Sequence, residues 1–220
     1  MGFCADQLES VRSIWDRILG HRFLAETRDG TIAHDTFATW MRQDYLFVEA
    51  AIPFIAAMLP RAPLEHRVAL GQALPALEKE LELFRERAAV VDVDLGSVKP
   101  SFVNHAYVQF LLASAYTKSY AGAFTVLYAA EKAYYDSWMV VRDGIDPSSM
   151  WFPFVENWTS DAFKGWVDFL QTNLDALAEG VGEGEREEMA ELFELTARYE
   201  LAFWEMAATG EGWPCLGEEV

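Results

Sequence analysis

SYAGAFTVLYAAEKAYYDSWMVVR, residues 119–142, decides how the rest of the chain is read. Its apolar positions recur at helical spacing and predict a single long helix. Glu131 falls on the same face as Phe124, Leu127, Tyr128, Tyr134, Tyr135 and Trp138, because positions three, four and seven apart lie together on a helix. A carboxylate among so many apolar and aromatic groups is costly unless it is paired, hydrogen-bonded or put to use. The purely structural alternatives are a buried acid satisfied by a tyrosine hydroxyl and a helix face less buried than its sequence suggests.

The same anomaly appears twice more. FATWMRQDYLF (37–47) lies in a helix expected from about 36 to 59, with Asp35 as its N-cap and Pro60 and Pro63 beyond its end. There Asp44 shares a face with Phe37, Trp40, Met41, Phe47, Val48 and Ala51. In a last helix, expected over about 185–208, Glu200 lies with Phe193, Thr196, Ala197, Phe203 and Trp204. Three embedded acids on three separate helices suggest carboxylates projecting into one cavity of a bundle, a favoured place for a small-molecule site. Two carboxylates held close push their pKa values apart, so one keeps its proton while the other acts as base.

Between these helices the chain predicts others. Residues 4–19 form one apolar-periodic run ending at Gly20, and 21–32 form a connection turning at Asp29-Gly30. A helix over 64–89 carries the charged stretch LEKELELFRER (77–87) as a solvated face, and 90–101 is a loop. Helix 102–117 follows. FVENWTSDAFKGWVDFLQTNLDALAE (154–179) breaks near 159–161 with Ser160 or Asp161 as cap, and GVGEGERE (180–187) is a solvated turn. Seven or eight helices, no internal repeat and no credible strand predict an all-α, single-domain helical bundle over 1–220, with 210–220 as a C-terminal tail.

Composition limits the function classes. The net charge of −18 opposes nucleic-acid binding, which needs clustered Lys and Arg, and opposes attachment to an anionic membrane. No apolar run reaches the length of a membrane span, and MGFCADQLESVRS lacks a signal-peptide core. The two cysteines, Cys4 and Cys215, give neither a disulfide framework nor a metal-ligand spacing, so the expected location is cytoplasmic. His21, His34, His66 and His105 form no Glu-x-x-His pair with an embedded acid, so no metal and no cofactor is expected.

WDRILGHRFLAETRDGTI (15–32), FATWMRQDYLF (37–47), FVENWTSDAFKGWV (154–167) and ARYELAFWEMAATGEGW (197–213) together resemble the TenA family, the thiaminase II and thiamin-pyrimidine salvage proteins, over nearly the whole chain. The resemblance implies a haem-oxygenase-like all-α fold and an assembly of copies, a homotetramer or homodimer. It implies that Asp44 holds the ring nitrogen and amino group of a pyrimidine. Phe47 stands where the family often has tyrosine and would flank the ring, with Tyr107, Tyr134, Trp158 and Phe203 lining it. The family's nucleophilic cysteine falls on Ala129-Ala130, so the chain resembles the cysteine-lacking class E branch. There a glutamate pair is thought to act, and Glu131 and Glu200 match its two members. The activity implied is hydrolysis of the exocyclic C–N bond of a thiamin-derived aminopyrimidine, in pyrimidine salvage. The alternatives are a pyrimidine-binding homologue without turnover and an enzyme of the same fold with another substrate.

Overall fold

The computed structural model describes residues 2–214, and among these the chain is made of helices joined by loops, with no strand. In order the helices are α1 (Phe3–Ser10), α2 (Arg12–Leu19), α3 (Arg22–Arg28), α4 (His34–Met58), a 3₁₀ turn (Leu59–Arg61), α5 (Leu64–Val90), α6 (Phe102–Thr117), α7 (Tyr120–Arg142), α8 (Phe152–Trp158), α9 (Asp161–Gly180) and α10 (Glu183–Thr209). None of these helices is long and apolar enough to cross a membrane. The chain forms two compact units. One comprises the segments up to Ile32 and Lys118–Trp204; the other comprises Ala33–Thr117 and the segment from Glu205 onward.

In the first unit α7 is the central helix and packs against α2, α3, α8 and α9. Residues 121–129 are buried on every side, a helix environment that alanine and glycine tolerate because they let neighbours approach closely. Gly122 needs that tolerance: a Cβ there would meet Leu192 Cδ1 at 3.1 Å. The Ser119 hydroxyl caps α7 by accepting from the Gly122 N–H at 3.0 Å, which satisfies one of the four free donors of the first turn. Ser160 caps α9 in the same way, accepting from the Phe163 N–H at 3.2 Å. Helix α1 has no cap of its own. The Asp175 carboxylate of α9 takes the Cys4 N–H at 2.8 Å instead.

In the second unit α4 packs against α5 and α6. Aromatic contacts of Trp40 with Phe37 (4.7 Å) and Phe84 (5.7 Å) fill part of its core. Helix α5 closes through Asp92, the one non-glycine residue with positive φ (56°) among the described residues. The Val93 N–H returns to the Ala88 carbonyl at 2.9 Å, a helix ending that usually selects glycine. The valine–aspartate alternation at 90–94 is thus a helix terminus.

Several local expectations are corrected. The run 4–19 is two helices broken at Val11. The connection 21–32 contains α3, which buries Phe23, Leu24 and Thr27 and is capped by His21 Nδ1 accepting from the Phe23 N–H at 3.3 Å. Asp35 is not the cap of α4. Ala33 holds that position, and Asp35 lies in the first turn, where its charge complements the helix dipole. The short helices raise the number of α-helices among the described residues to ten, against the seven or eight expected.

Candidate functional site

Glu131, Tyr134, Trp158, Glu200 and Phe203 all fall in the first unit. Helices α7 and α10 run parallel there. Lys118 Nζ donates to Glu188 Oε1 at 2.7 Å, Gly122 abuts Leu192, and the Tyr134 ring stacks on Trp204 at 5.6 Å and 14°. In each pair the α10 residue lies 70 positions after its partner, which is in α7 or, for Lys118, two residues before it. Glu131 and Glu200 fit that register to within one residue, so they lie at one level of the helix pair. The α7 face that carries Glu131 also carries Tyr134 and Trp138, one and two turns on, and both of those rings meet Trp204.

Below that level is an aromatic box. Trp158 of α8 stands edge-on to Tyr134 at 5.3 Å and 89°, and stacks on Trp138 at 5.4 Å and 18°. Trp138 meets Trp204 edge-on at 5.9 Å, and Phe23 closes against Trp204 at 5.3 Å. Each contact is of the offset or edge-to-face kind that aromatic quadrupoles favour. The rings hold one another in fixed orientations, and of them only Tyr134 keeps part of its surface open.

The two acids differ in environment. Glu200 is 3% exposed, whereas Glu131 is half-buried. Loss of water around the Glu131 carboxyl raises its pKa to about 7, opposed in part by a hydrogen bond from Trp166 of α9. A carboxyl that titrates near neutrality can both donate and accept a proton at working pH.

Asp44, Phe47 and Tyr107 belong to the second unit. Asp44 is 1% exposed on α4. Phe47, one turn on, meets the buried Tyr107 of α6 at 4.8 Å and 45°. Among the described residues no three His, Cys, Asp or Glu side chains are grouped so as to hold a metal ion.

Cys4 is fully buried, its thiol directed to the Gln171 carbonyl at 3.6 Å. Burial, with Asp175 beside it, drives its pKa upward, which leaves it protonated and unreactive. Cys215 lies outside the described residues. The protein is therefore expected to keep its activity after treatment with iodoacetamide, and with both cysteines changed to serine. Turnover would be measured before and after treatment, and a large loss in a folded protein would assign a cysteine to the chemistry.

Trp166, Gln43 and Asn104 were not singled out by the sequence reading. Trp166 is the one indole of α9, and it bonds to Glu131 of α7; nothing local in the sequence marks that partnership.

Residues 8–210 match the TENA/THI-4/PQQC family. The aminopyrimidine aminohydrolase of Halalkalibacterium halodurans is 28% identical over 97% of this chain and 98% of its own. A TenA homologue from Pyrococcus furiosus superposes with a TM-score of 0.90 at 33% identity, over 93% of this chain and 99% of that one. A protein of heme oxygenase-like fold from Shewanella denitrificans gives 0.74 at 15% identity, over 93% and 91%, so the fold is of the haem-oxygenase type. With its whole helical body matched, the chain belongs to the TENA/THI-4/PQQC family.

Proposed function

We propose that this protein is a hydrolase of thiamin-pyrimidine salvage. It cleaves the exocyclic C–N bond of an aminomethylpyrimidine and releases ammonia and the hydroxymethylpyrimidine. Water supplies the hydroxyl oxygen: one proton leaves it as it attacks the exocyclic carbon, and another reaches the departing nitrogen. Glu131 and Glu200 carry these protons, one as base and the other as acid, in place of a cysteine nucleophile. The observation that most supports this pairing is the common register of the two acids on the parallel helices α7 and α10, beside the partly exposed ring of Tyr134.

Asp44 anchors the ring nitrogen and amino group in the ground state, Phe47 and Tyr107 flank it, and Tyr134, Trp158 and Phe203 complete the aromatic surroundings. The relative from Halalkalibacterium halodurans, by its name, hydrolyses an aminopyrimidine, which favours this substrate class. The protein acts in the cytoplasm as a homo-oligomer of two or four copies.

Ammonia release and mass-spectrometric detection of the hydroxymethyl product, after incubation with the aminomethylpyrimidine, test the reaction. Thermal protection by that product without any turnover would make the protein a binding module instead. Asp44→Ala is expected to raise KM about 10–100-fold, the loss of one charge-assisted hydrogen bond, with kcat much less affected. Steady-state kinetics on the variant check this split, and a fall confined to kcat would remove Asp44 from ligand anchoring.

A further inference from the structure

Gln43 immediately precedes Asp44 on α4, and almost none of its surface reaches water. Its side chain is fully engaged. Nε2 donates to the Lys99 carbonyl at 3.0 Å, and Oε1 accepts from the Ser101 N–H at 2.9 Å and from Asn104 Nδ2 at 2.9 Å. Asn104 Nδ2 also donates to the Gln43 main-chain carbonyl at 2.7 Å. A helix carbonyl has a second lone pair beyond its own ladder bond, and here a residue of another helix takes it.

Asn104 itself is completely buried. Its backbone N–H is held by the Ser101 hydroxyl at 3.1 Å. With both acceptors of Gln43 facing Nδ2, its amide has one orientation. Oδ1 then faces the other way and has no hydrogen-bond partner among the described residues. A bare buried acceptor works against stability, and an apolar pair of similar shape would avoid that cost. What the amide pair supplies is geometry. One turn along both helices, the Phe47 and Tyr107 rings meet, so α4 and α6 are fixed to each other at two successive levels with Asp44 between them. A third contact secures the same α6 terminus from outside: the Trp213 indole donates to the Pro100 carbonyl at 3.0 Å and packs on Phe102 and His105.

We propose that Asn104 is a positioning residue, which acts through Gln43 to fix the rotation and axial register of α4 at Asp44 and Phe47 and so sets affinity for the pyrimidine. This rests on the ligand-anchoring reading of Asp44 given above. The glutamates belong to other helices, and so the effect falls on binding and leaves the chemical step alone.

The test uses the full-length protein, with calorimetric titration of the hydroxymethylpyrimidine and steady-state kinetics on the aminomethylpyrimidine. All measurements are made well below each variant's melting midpoint. Asn104→Ala, and Asn104→Leu, which keeps the branched shape but cannot donate, are expected to weaken product binding and raise KM about 10–100-fold. That is the scale on which small misplacements of a binding group register. The kcat value stays within about threefold of the parent. The double variant Gln43→Ala/Asn104→Ala is expected to lose less than the sum of the two single losses, because the Asn104 Nδ2–Gln43 Oε1 bond is common to both. Unchanged KM and product affinity in folded variants overturn the proposal, as does a fall in kcat alone. If neither Asn104 variant melts cooperatively, Gln43→Met gives the same readout from the other side of the pair. A parent protein that neither binds the product nor turns over the amine overturns the functional reading and this inference together, whereas an active parent with unaffected variants overturns only the latter.

Discussion

Glu131→Gln and Glu200→Gln are each expected to lower kcat by about 10²–10⁴-fold, the span over which positioned general acids and bases act. Glutamine keeps the volume and most of the hydrogen-bonding capacity, so affinity for the hydroxymethylpyrimidine changes little. The loss therefore appears in kcat and kcat/KM together, the signature of an interaction made in the transition state. The double variant is expected to be little worse than either single one, because an acid–base pair that has lost one member has already lost the concerted transfer. Glu131→Gln that weakens product binding while leaving kcat intact would make Glu131 an anchor and move the chemistry elsewhere. Single-turnover kinetics separate the two outcomes, since slow product release cannot mask the chemical step there.

Glu131→Gln is also expected to change how stability depends on pH. The carboxyl titrates near 7 in the folded protein, against an ordinary value of 4.5. Below about 4.5 it is protonated in both states and imposes nothing. Between about 4.5 and 7 the folded protein holds a proton that the unfolded chain has released, so stability falls as pH rises. Above 7 the penalty is complete. It amounts to about 2–3 kcal/mol at pH 8 once the part of the side chain still open to water is allowed for. Glutamine cannot titrate, so the variant gains on the parent by that amount between pH 4 and pH 8. Urea unfolding at both pH values measures it, and an equal gap at both would mean that another group carries the raised pKa. The variant that loses turnover is then the more stable protein in alkali, as expected where a strained group serves function.

The long elements were legible because their periodicity and caps agree. Helix α6 spans 102–117 as read, and Ser119 and Ser160 mark the starts of α7 and α9. Helix α3 was not legible. Its seven residues are too few for a periodic stripe, and its cap is a histidine ring nitrogen, an acceptor that helix-start rules overlook. The embedded acids were found by the apolar stripes around them, but the stripe says nothing about how much water remains. Asp44 and Glu200 are buried while Glu131 keeps part of its surface and accepts a hydrogen bond from Trp166 of α9. The Gln43–Asn104 pair joins residues 61 positions apart, and no local pattern announces such a bond. The class of side chain was readable at each position, whereas partnership depends on which helices meet.

The parallel course of α7 and α10 also bears on how the chain is made. Parallel neighbours cannot be joined by a tight turn, and here the connection contains the whole of α8 and α9. During synthesis the aromatic flank of α7 leaves the ribosome well before Trp204 and Glu200 exist to cover it. Contacts of such wide sequence separation form late and slowly, and exposed apolar surface in the interval invites association with other nascent chains. A message cut short after α9 would release a chain with Tyr134 and Trp138 lacking their Trp204 neighbour. The rings of α7 therefore stay without their Trp204 neighbour until α10 has been made.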